Sequence, residues 1–429
     1  MPDRSEDVPA APMGRGGRYP LGSAVTLAEL EGDPHAALAR LRQAEPVSWV
    51  PVLNGWLVTR RDLALRVMRD SETFTVDDPR FSTARVVGPS MLSLDGAGHD
   101  RHRRPFTGPF SQAGLRAQLA AFVTAEADRL VAAMRPAGQA ELRRSLAAPL
   151  AVAAVARALG LDEADPGTIL SWYDAIVGAV SQLAGDPAAD PSVVGTTAFR
   201  QLSGRLHAVI AGGAGPSLLA NVARGATGRP VARGATGCEP GRRGSGGPRL
   251  SQAEVISNAA VLMFGGIETT EGMIANAAWH LLTHPDQLRL VRDDPGLLPN
   301  AVEESLRLEP AAAVVDRYAT RDVALGGVAV REGDLVSVSI AGAGRDPAAF
   351  TDPDRFDVRR DNAKLNLAFA RGPHFCLGVH LARLEAQAAL SAALRLLPGL
   401  RLDPQHSGAP RGLVFRKPVS LQVRWDGGG

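Results

Sequence analysis

Cys376 has the setting in this chain best suited to demanding chemistry. It lies in Phe369-Ala370-Arg371-Gly372-Pro373-His374-Phe375-Cys376-Leu377-Gly378, directly ahead of a helix-forming stretch from Val379 to Leu397. A thiolate at a helix N-terminus is stabilised by unpaired backbone N–H groups and by the positive end of the helix dipole, which suits the sulfur to act as an anionic ligand. Gly372 and Gly378 remove side chains on both flanks, so a flat group could approach the backbone closely. A second cluster is Gly265-Gly266-Ile267-Glu268-Thr269-Thr270. Two glycines and a carboxylate inside an apolar helix are locally unfavourable, and such penalties often mark a functional position. A hydroxyl beside a carboxylate can relay protons; the same hydroxyl can also back-bond to its own helix.

Two further pairs are spaced to share a helix face: Glu304 with Arg307, and His99 with Arg103 in His99-Asp100-Arg101-His102-Arg103. The elements that must position these residues can be read from capping and periodicity. Asp33 and Pro34 open a helix over His35 to Gln43. Val47 to Val52 and Trp56 to Thr59 read as strands joined by a tight turn at Asn54-Gly55. Apolar residues recur at helical spacing in 118 to 134, 146 to 160 and 168 to 183. Ser251 and Glu254 form a capping box for a helix running to about Thr283, roughly 50 Å long and apolar nearly all round at its centre. Gly326-Gly327 joins a short hairpin, Val323 to Leu325 with Val328 to Val330, and helix returns at Leu377 to Leu397. The fold class expected is mainly α with small β-sheets.

The 429 residues are 45% hydrophobic and 21% charged, which gives enough apolar material for a large core. Basic and acidic residues nearly cancel, at 47 against 45, so charge alone gives no case for nucleic acid. Only Cys238 and Cys376 are present, which excludes a disulfide scaffold and a multi-cysteine metal site. Residues 1–20 are polar and broken by Pro and Gly; they read as a flexible segment, neither signal peptide nor anchor. No apolar run reaches the roughly 18 residues of a membrane span, and a cytoplasmic location follows. Residues 21–429 read as a single domain. Between 212 and 248, 11 glycines, 4 prolines and two copies of VARGATG mark a flexible surface loop that contains Cys238.

The cysteine segment resembles that of the cytochrome P450 family, thiolate-haem monooxygenases, at Phe369, Gly372, His374, Cys376 and Gly378. Ala370 departs from the pattern by standing where the family usually has glycine. Gly265-Gly266-x-Glu268-Thr269 is similar to the family's oxygen-binding helix, Glu304-x-x-Arg307 to its Glu-x-x-Arg pair, and His99-x-x-x-Arg103 to its His-x-x-x-Arg. The resemblance runs from the Trp56 hairpin to the strands around Leu413 to Val423. It implies haem b with Cys376 as axial iron ligand. It further implies cofactor contacts at Gly265, Gly266, Phe369, Gly372 and Gly378, propionate contacts from His99, Arg103, Arg317 and His374, a proton relay through Glu268 and Thr269, and a structural role for Glu304 and Arg307.

Substrate contacts would come from the family's pocket-roofing segments, with Phe81, Arg85, Trp172, Phe264, Val314 and Val315 as candidates; Arg85 could meet a carboxylate or carbonyl. No flavin or dinucleotide fingerprint occurs, and 53 residues follow Cys376. Electrons would therefore come from NAD(P)H through a separate ferredoxin reductase and ferredoxin. Arg101, Arg104, Lys364 and Arg371 would offer the ferredoxin a positive surface. The expected protein is a monomeric monooxygenase acting on a small organic molecule, and 45 arginines against two lysines hint at a GC-rich bacterial genome and secondary metabolism. Oxidative coupling or another non-hydroxylating reaction stays open, as does a non-catalytic haem carrier or gas sensor.

Overall fold

The computed structural model describes residues 18–185, 190–212, 217–227 and 249–427. The helices that bear on the site are α1 (His35–Ala44), α2 (Gly96–Thr107), α3 (Ala120–Met134), α4 (Ala148–Leu159), α5 (Pro166–Gly185), α6 (Leu218–Thr227), α7 (Gln252–Thr283), α8 (Leu298–Leu308) and α9 (Val379–Leu396). The capping box at the start of α7 forms as the sequence requires. Ser251 Oγ accepts from the Glu254 N–H at 3.3 Å, and Glu254 Oε2 accepts from the Ser251 N–H at 2.8 Å. Its 32 residues make a rod of about 48 Å. Because Val255 to Val261 and most of Ile267 to Leu282 are buried, α7 runs through the protein with α4, α8 and α9 packed on it.

The strands that bear on the site are β1 (Val47–Val50), β2 (Gly55–Val58), β3 (Phe74–Thr75), β4 (Val314–Ala319), β5 (Val323–Leu325), β6 (Val328–Val330), β7 (Leu335–Ser339), β8 (Pro410–Arg411) and β9 (Lys417–Pro418). The largest sheet has the order β1-β2-β7-β4-β3. The β5–β6 hairpin forms as read, with Gly326 at φ +60° and Gly327 at φ +83°. The β1–β2 turn differs from expectation. Val50 pairs with Gly55, and Pro51 to Leu53 make a 3₁₀ turn that ends at Asn54 in the left-handed region. Gly55 is therefore a strand residue. A Cβ there would lie 3.0 Å from the Leu335 side chain on β7, so close strand packing requires the glycine.

Two expected flexible segments need correction. Within 1–20, Pro20 already begins a helix and Tyr19 packs edge-on against Trp56 at 5.1 Å; residues 1–17 lie outside the described residues. Within 212–248, the first VARGATG copy largely belongs to α6, whose Leu218, Leu219 and Val222 are buried in the main core. The apolar residues at helical spacing outweigh the glycines there. The second copy and Cys238 lie outside the described residues.

One buried charge has no evident function. Glu385 on α9 is 1% exposed, and its Oε2 has no hydrogen-bond partner. Burial pushes its carboxyl well above the ordinary value of 4.5. A raised folded value means that folding retains a proton, so the group weighs against the folded state increasingly as pH rises above 4.5. Glu385→Met should be more stable than wild type by about 1–2 kcal/mol at pH 7.5, with the difference shrinking toward pH 5. Urea titrations at the two pH values check it, and a pH-independent difference would contradict this account.

Candidate active site

Beneath α7 lies the loop that carries Cys376. Its turn is fixed by the Ala370 N–H donating to Leu367 O at 2.8 Å, the Phe375 N–H to Gly372 O at 3.1 Å and the Cys376 N–H to Phe369 O at 2.9 Å. Gly372 has φ +77°, and a Cβ there would fall 2.3 Å from Met68 O. Glycine is therefore required twice over, by conformation and by space. Ala370 has φ +57°, so the turn keeps the left-handed geometry suited to glycine despite the substitution. That conformation costs an alanine roughly 1 kcal/mol, and Ala370→Gly should raise stability by about that amount. A shift of the urea midpoint with an unchanged slope would register the gain; a loss of stability would contradict it.

Cys376 keeps partial solvent access. Burial pushes its thiol up, against the opposing pull of the Gly378 N–H, Arg103 and Arg383. Helix α9 begins only at Val379, with Gly378 as its N-cap, so the sulfur lies two residues ahead of the cap and is not itself the capping residue. Phe369 is 8% exposed and packs under the guanidinium of Arg383 at 4.9 Å.

The cationic set assembles beside this loop. Arg103 NH2 donates to Phe375 O at 2.5 Å, and the His99 ring lies 4.6 Å from that of His374. His374 Nε2 donates to Asp95 Oδ1 at 2.8 Å, while Asp95 Oδ2 accepts from Thr75 Oγ1 at 2.7 Å and the Val76 N–H at 2.9 Å. Burial alone would raise the Asp95 carboxyl, but the bonds from His374, Thr75 and Val76 hold it down at about 2. Arg317 is 5% exposed and donates through NH1 to Asp316 O at 2.7 Å. Burial lowers His99, with His374 and Arg103 adding to the shift.

These residues can be tested against a flat, dianionic cofactor. Among the described residues, His99 Nε2 is buried without a partner, and the buried Arg317 guanidinium has its one hydrogen bond to a backbone carbonyl. Above, a Cβ on Gly265 would meet nothing within 4 Å. Open space, a sulfur ligand and uncommitted buried donors fit haem and its two propionates. Gly266 differs from its neighbour: a Cβ there would lie 2.6 Å from Val155 Cγ2, so the contact between α7 and α4 is what requires it. It was expected to meet the cofactor, but faces α4.

The side chains of Glu268 and Thr269 each bond to other partners. Thr269 Oγ1 donates to Gly265 O at 2.5 Å, the back-bond that competed with a relay role in the sequence. Glu268 accepts from Tyr173 OH at 2.7 Å and pairs with Lys417 Nζ at 2.8 Å. Neither partner was legible in the sequence, because they come from α5 and β9.

Among the expected pocket residues, Phe264 packs against Phe415 at 5.9 Å and Tyr173 at 6.4 Å. Trp172 is 6% exposed, and its Nε1 donates to Gln201 Oε1 at 3.1 Å, toward the helix Val193–Gly212. Its neighbour Tyr173 turns toward α7 instead, meeting Glu268 and Phe264. Val314 and Val315 are adjacent on β4, where side chains alternate, so at most one faces the site. Val314 borders a small cleft with Leu57 and Leu413, and Val315 packs against the core of the large sheet. Phe81 and Arg85 are half-buried at the short helix Ser82–Val87.

Away from the cavity, Arg307 and Glu304 are both 0% exposed and joined at 2.7 and 2.8 Å. Arg360 donates a third bond to Glu304 at 2.9 Å, and Arg307 also holds Gly344 O, Pro353 O and Arg355 O. Arg101, expected on an exposed positive face, pairs instead with Glu254 at 2.5 Å and ties α2 to the start of α7. Arg104 and Lys364 are exposed, and Arg371 is half-buried.

A mainly helical fold crossed by α7, with a cysteine loop and buried cations on one side, defines a haem-thiolate protein. The sequence model of the family described as Cytochrome P450 matches residues 241–410. The chain is 35% identical over 415 residues to the cytochrome P450 monooxygenase PikC of Streptomyces venezuelae, covering 92% of each. It is 31% identical to the nocardicin C N-oxygenase of Nocardia uniformis subsp. tsuyamanensis, covering 95% of this chain and 98% of that one. The solved structure of CxnD, a cytochrome P450 enzyme for C–S bond formation in chuangxinmycin biosynthesis, superposes with a TM-score of 0.79 at 27% identity, over 92% of this chain and 95% of that one. The chain belongs to the cytochrome P450 family and is a haem-thiolate monooxygenase. That sets aside the gas-carrier alternative. Among the described residues, no helix is long and apolar enough to cross a membrane.

Proposed function

We propose that this monooxygenase oxidises a small, largely apolar organic molecule of bacterial secondary metabolism, in the cytoplasm and as a monomer. The observation that carries the site reading is the buried, unpartnered His99 Nε2 beside His374, Arg103 and the Cys376 loop. Haem bound there would supply dioxygen activation. Cys376 would hold its iron, and His99, Arg103, Arg317 and His374 would hold its propionates. Asp95 would aim the His374 ring through its 2.8 Å bond. Phe264, Tyr173 and Phe415 would press the substrate toward Gly265, with Phe81 and Arg85 at the edge, and Glu268 and Thr269 would move protons at their side-chain oxygens. Electrons would arrive from NAD(P)H through a reductase and an acidic ferredoxin docking near Arg104, Lys364 and Arg371.

The names of the relatives PikC and nocardicin C N-oxygenase support oxygen insertion into a natural product. The structural likeness to CxnD favours a second reading, oxidative bond formation without oxygen transfer. Screening macrolide, aromatic and peptide-derived compounds for shifts in the haem spin state tests the substrate class. Turnover of a hit under labelled dioxygen then separates the readings: label in the product supports insertion, and unlabelled product supports coupling.

A further inference from the structure

Lys417 is one of two lysines in a chain with 45 arginines, and it lies between two carboxylates on α7. Its Nζ is 2.8 Å from Glu268 Oε1 and 2.7 Å from Glu271 Oε2. An ammonium can direct separate N–H groups at two acceptors, whereas the planar guanidinium fork suits one carboxylate, so the choice of lysine has a geometric reason. Glu268 Oε2 is taken by Tyr173 OH at 2.7 Å, which leaves each oxygen of that carboxylate with a partner. Arg143 completes the cluster by donating to Glu271 Oε1 at 2.8 Å and to the backbone oxygens of Pro418 and Val419. Lys417 therefore stands on a strand end that is itself clamped.

The two groups holding Glu268 come from elements far apart in the chain. Tyr173 belongs to α5, and Lys417 opens β9, two positions after Phe415. The rings of Tyr173 and Phe415 both contact Phe264, at 6.4 and 5.9 Å. A molecule seated against Phe264 would thus press on the segments that fix the carboxylate.

We infer that Lys417 and Tyr173 are positioning residues that hold the Glu268 carboxylate turned away from Thr269 and link its release to the segments flanking the pocket. This rests on the reading of Glu268 as a proton-relay group. Without Lys417, Arg143 still pairs with Glu271, but Glu268 loses its cation and keeps only the Tyr173 hydroxyl, so its carboxylate is freed to leave its present position.

The test uses haem-loaded protein with a surrogate ferredoxin, its reductase and NADPH, with dioxygen as the only oxidant. Hydrogen peroxide release takes two electrons and two protons per dioxygen, so its rate and solvent isotope effect report proton supply. Lys417→Met and Tyr173→Phe should each raise the rate on the order of tenfold, and Glu268→Gln should lower it by a similar factor. Lys417→Met combined with Glu268→Gln should behave as Glu268→Gln alone, a non-additivity that a general loss of stability would not produce. A crystal structure of Lys417→Met should show the Glu268 carboxylate displaced from Tyr173. If Glu268→Gln has its effect but Lys417→Met and Tyr173→Phe leave the rate, isotope effect and carboxylate position unchanged, the positioning inference is overturned and the relay reading survives. If Glu268→Gln changes neither rate nor isotope effect, the relay reading fails and takes the inference with it.

Discussion

Cys376→Ser should fold, bind haem poorly, and lose both turnover and the red-shifted carbon monoxide band that thiolate ligation gives. Serine preserves the shape of the loop. The Cys376 N–H donates to Phe369 O through the backbone, and a hydroxyl oxygen can accept from Gly378 as the sulfur does. What is lost is the soft, electron-rich donor. Mutating outer partners of metal ligands alone commonly costs about 10- to 100-fold in affinity or activity, so losing the ligand should exceed 100-fold. Absorbance spectra of the reduced, carbon monoxide-treated variant check the ligation, and far-ultraviolet circular dichroism checks the fold. A variant whose spectrum matched that of the wild type would remove Cys376 as the ligand, and with it the site.

Motifs that are local in sequence were legible before the structure, because their geometry is set within a few residues. The Ser251–Glu254 capping box, the Gly326-Gly327 hairpin and the helical pairs His99/Arg103 and Glu304/Arg307 are of this kind. The partners that decide what those residues do were not legible. Lys417 reaches Glu268 across 149 positions, and Asp95 reaches His374 across 279. Nothing local distinguishes Lys417 from a solvated surface cation. Asp95 offered a faint signal in lying one turn ahead of His99, but its bonds to Thr75 and Val76 depend on β3 docking beside it. Helix faces were misread where one residue decides orientation, as with Trp172 for Tyr173. Glycines were misread where both readings require a missing side chain, as with Gly266. Within the 212–248 excursion, the helix Leu218–Thr227 was missed because composition masked the apolar spacing of Leu218, Leu219 and Val222.

Arg307→Ala should be the most destabilising single change, at about 3–5 kcal/mol, since breaking a buried ion pair leaves an uncompensated charge. Glu304 is 0% exposed and would keep only Arg360 as a cationic partner. Gly344 O, Pro353 O and Arg355 O would each lose a donor in the segment leading to the cysteine loop. Against a typical net stability of about 5–15 kcal/mol, that loss would leave many molecules unable to retain cofactor. Arg307→Lys should recover little, because one ammonium cannot reproduce a bidentate pair together with three carbonyl bonds. Glu304→Leu combined with Arg307→Met removes both charges and should cost less than the two single losses summed, with the remainder assignable to the stranded carbonyls. Urea unfolding followed by circular dichroism gives the free energies, and the ratio of haem to protein absorbance gives cofactor retention. An Arg307→Ala protein within about 1 kcal/mol of wild type with full haem content would mean that the segment from Gly344 to Arg360 is held by its backbone turns, and that the pair Glu304/Arg307 serves something other than the fold.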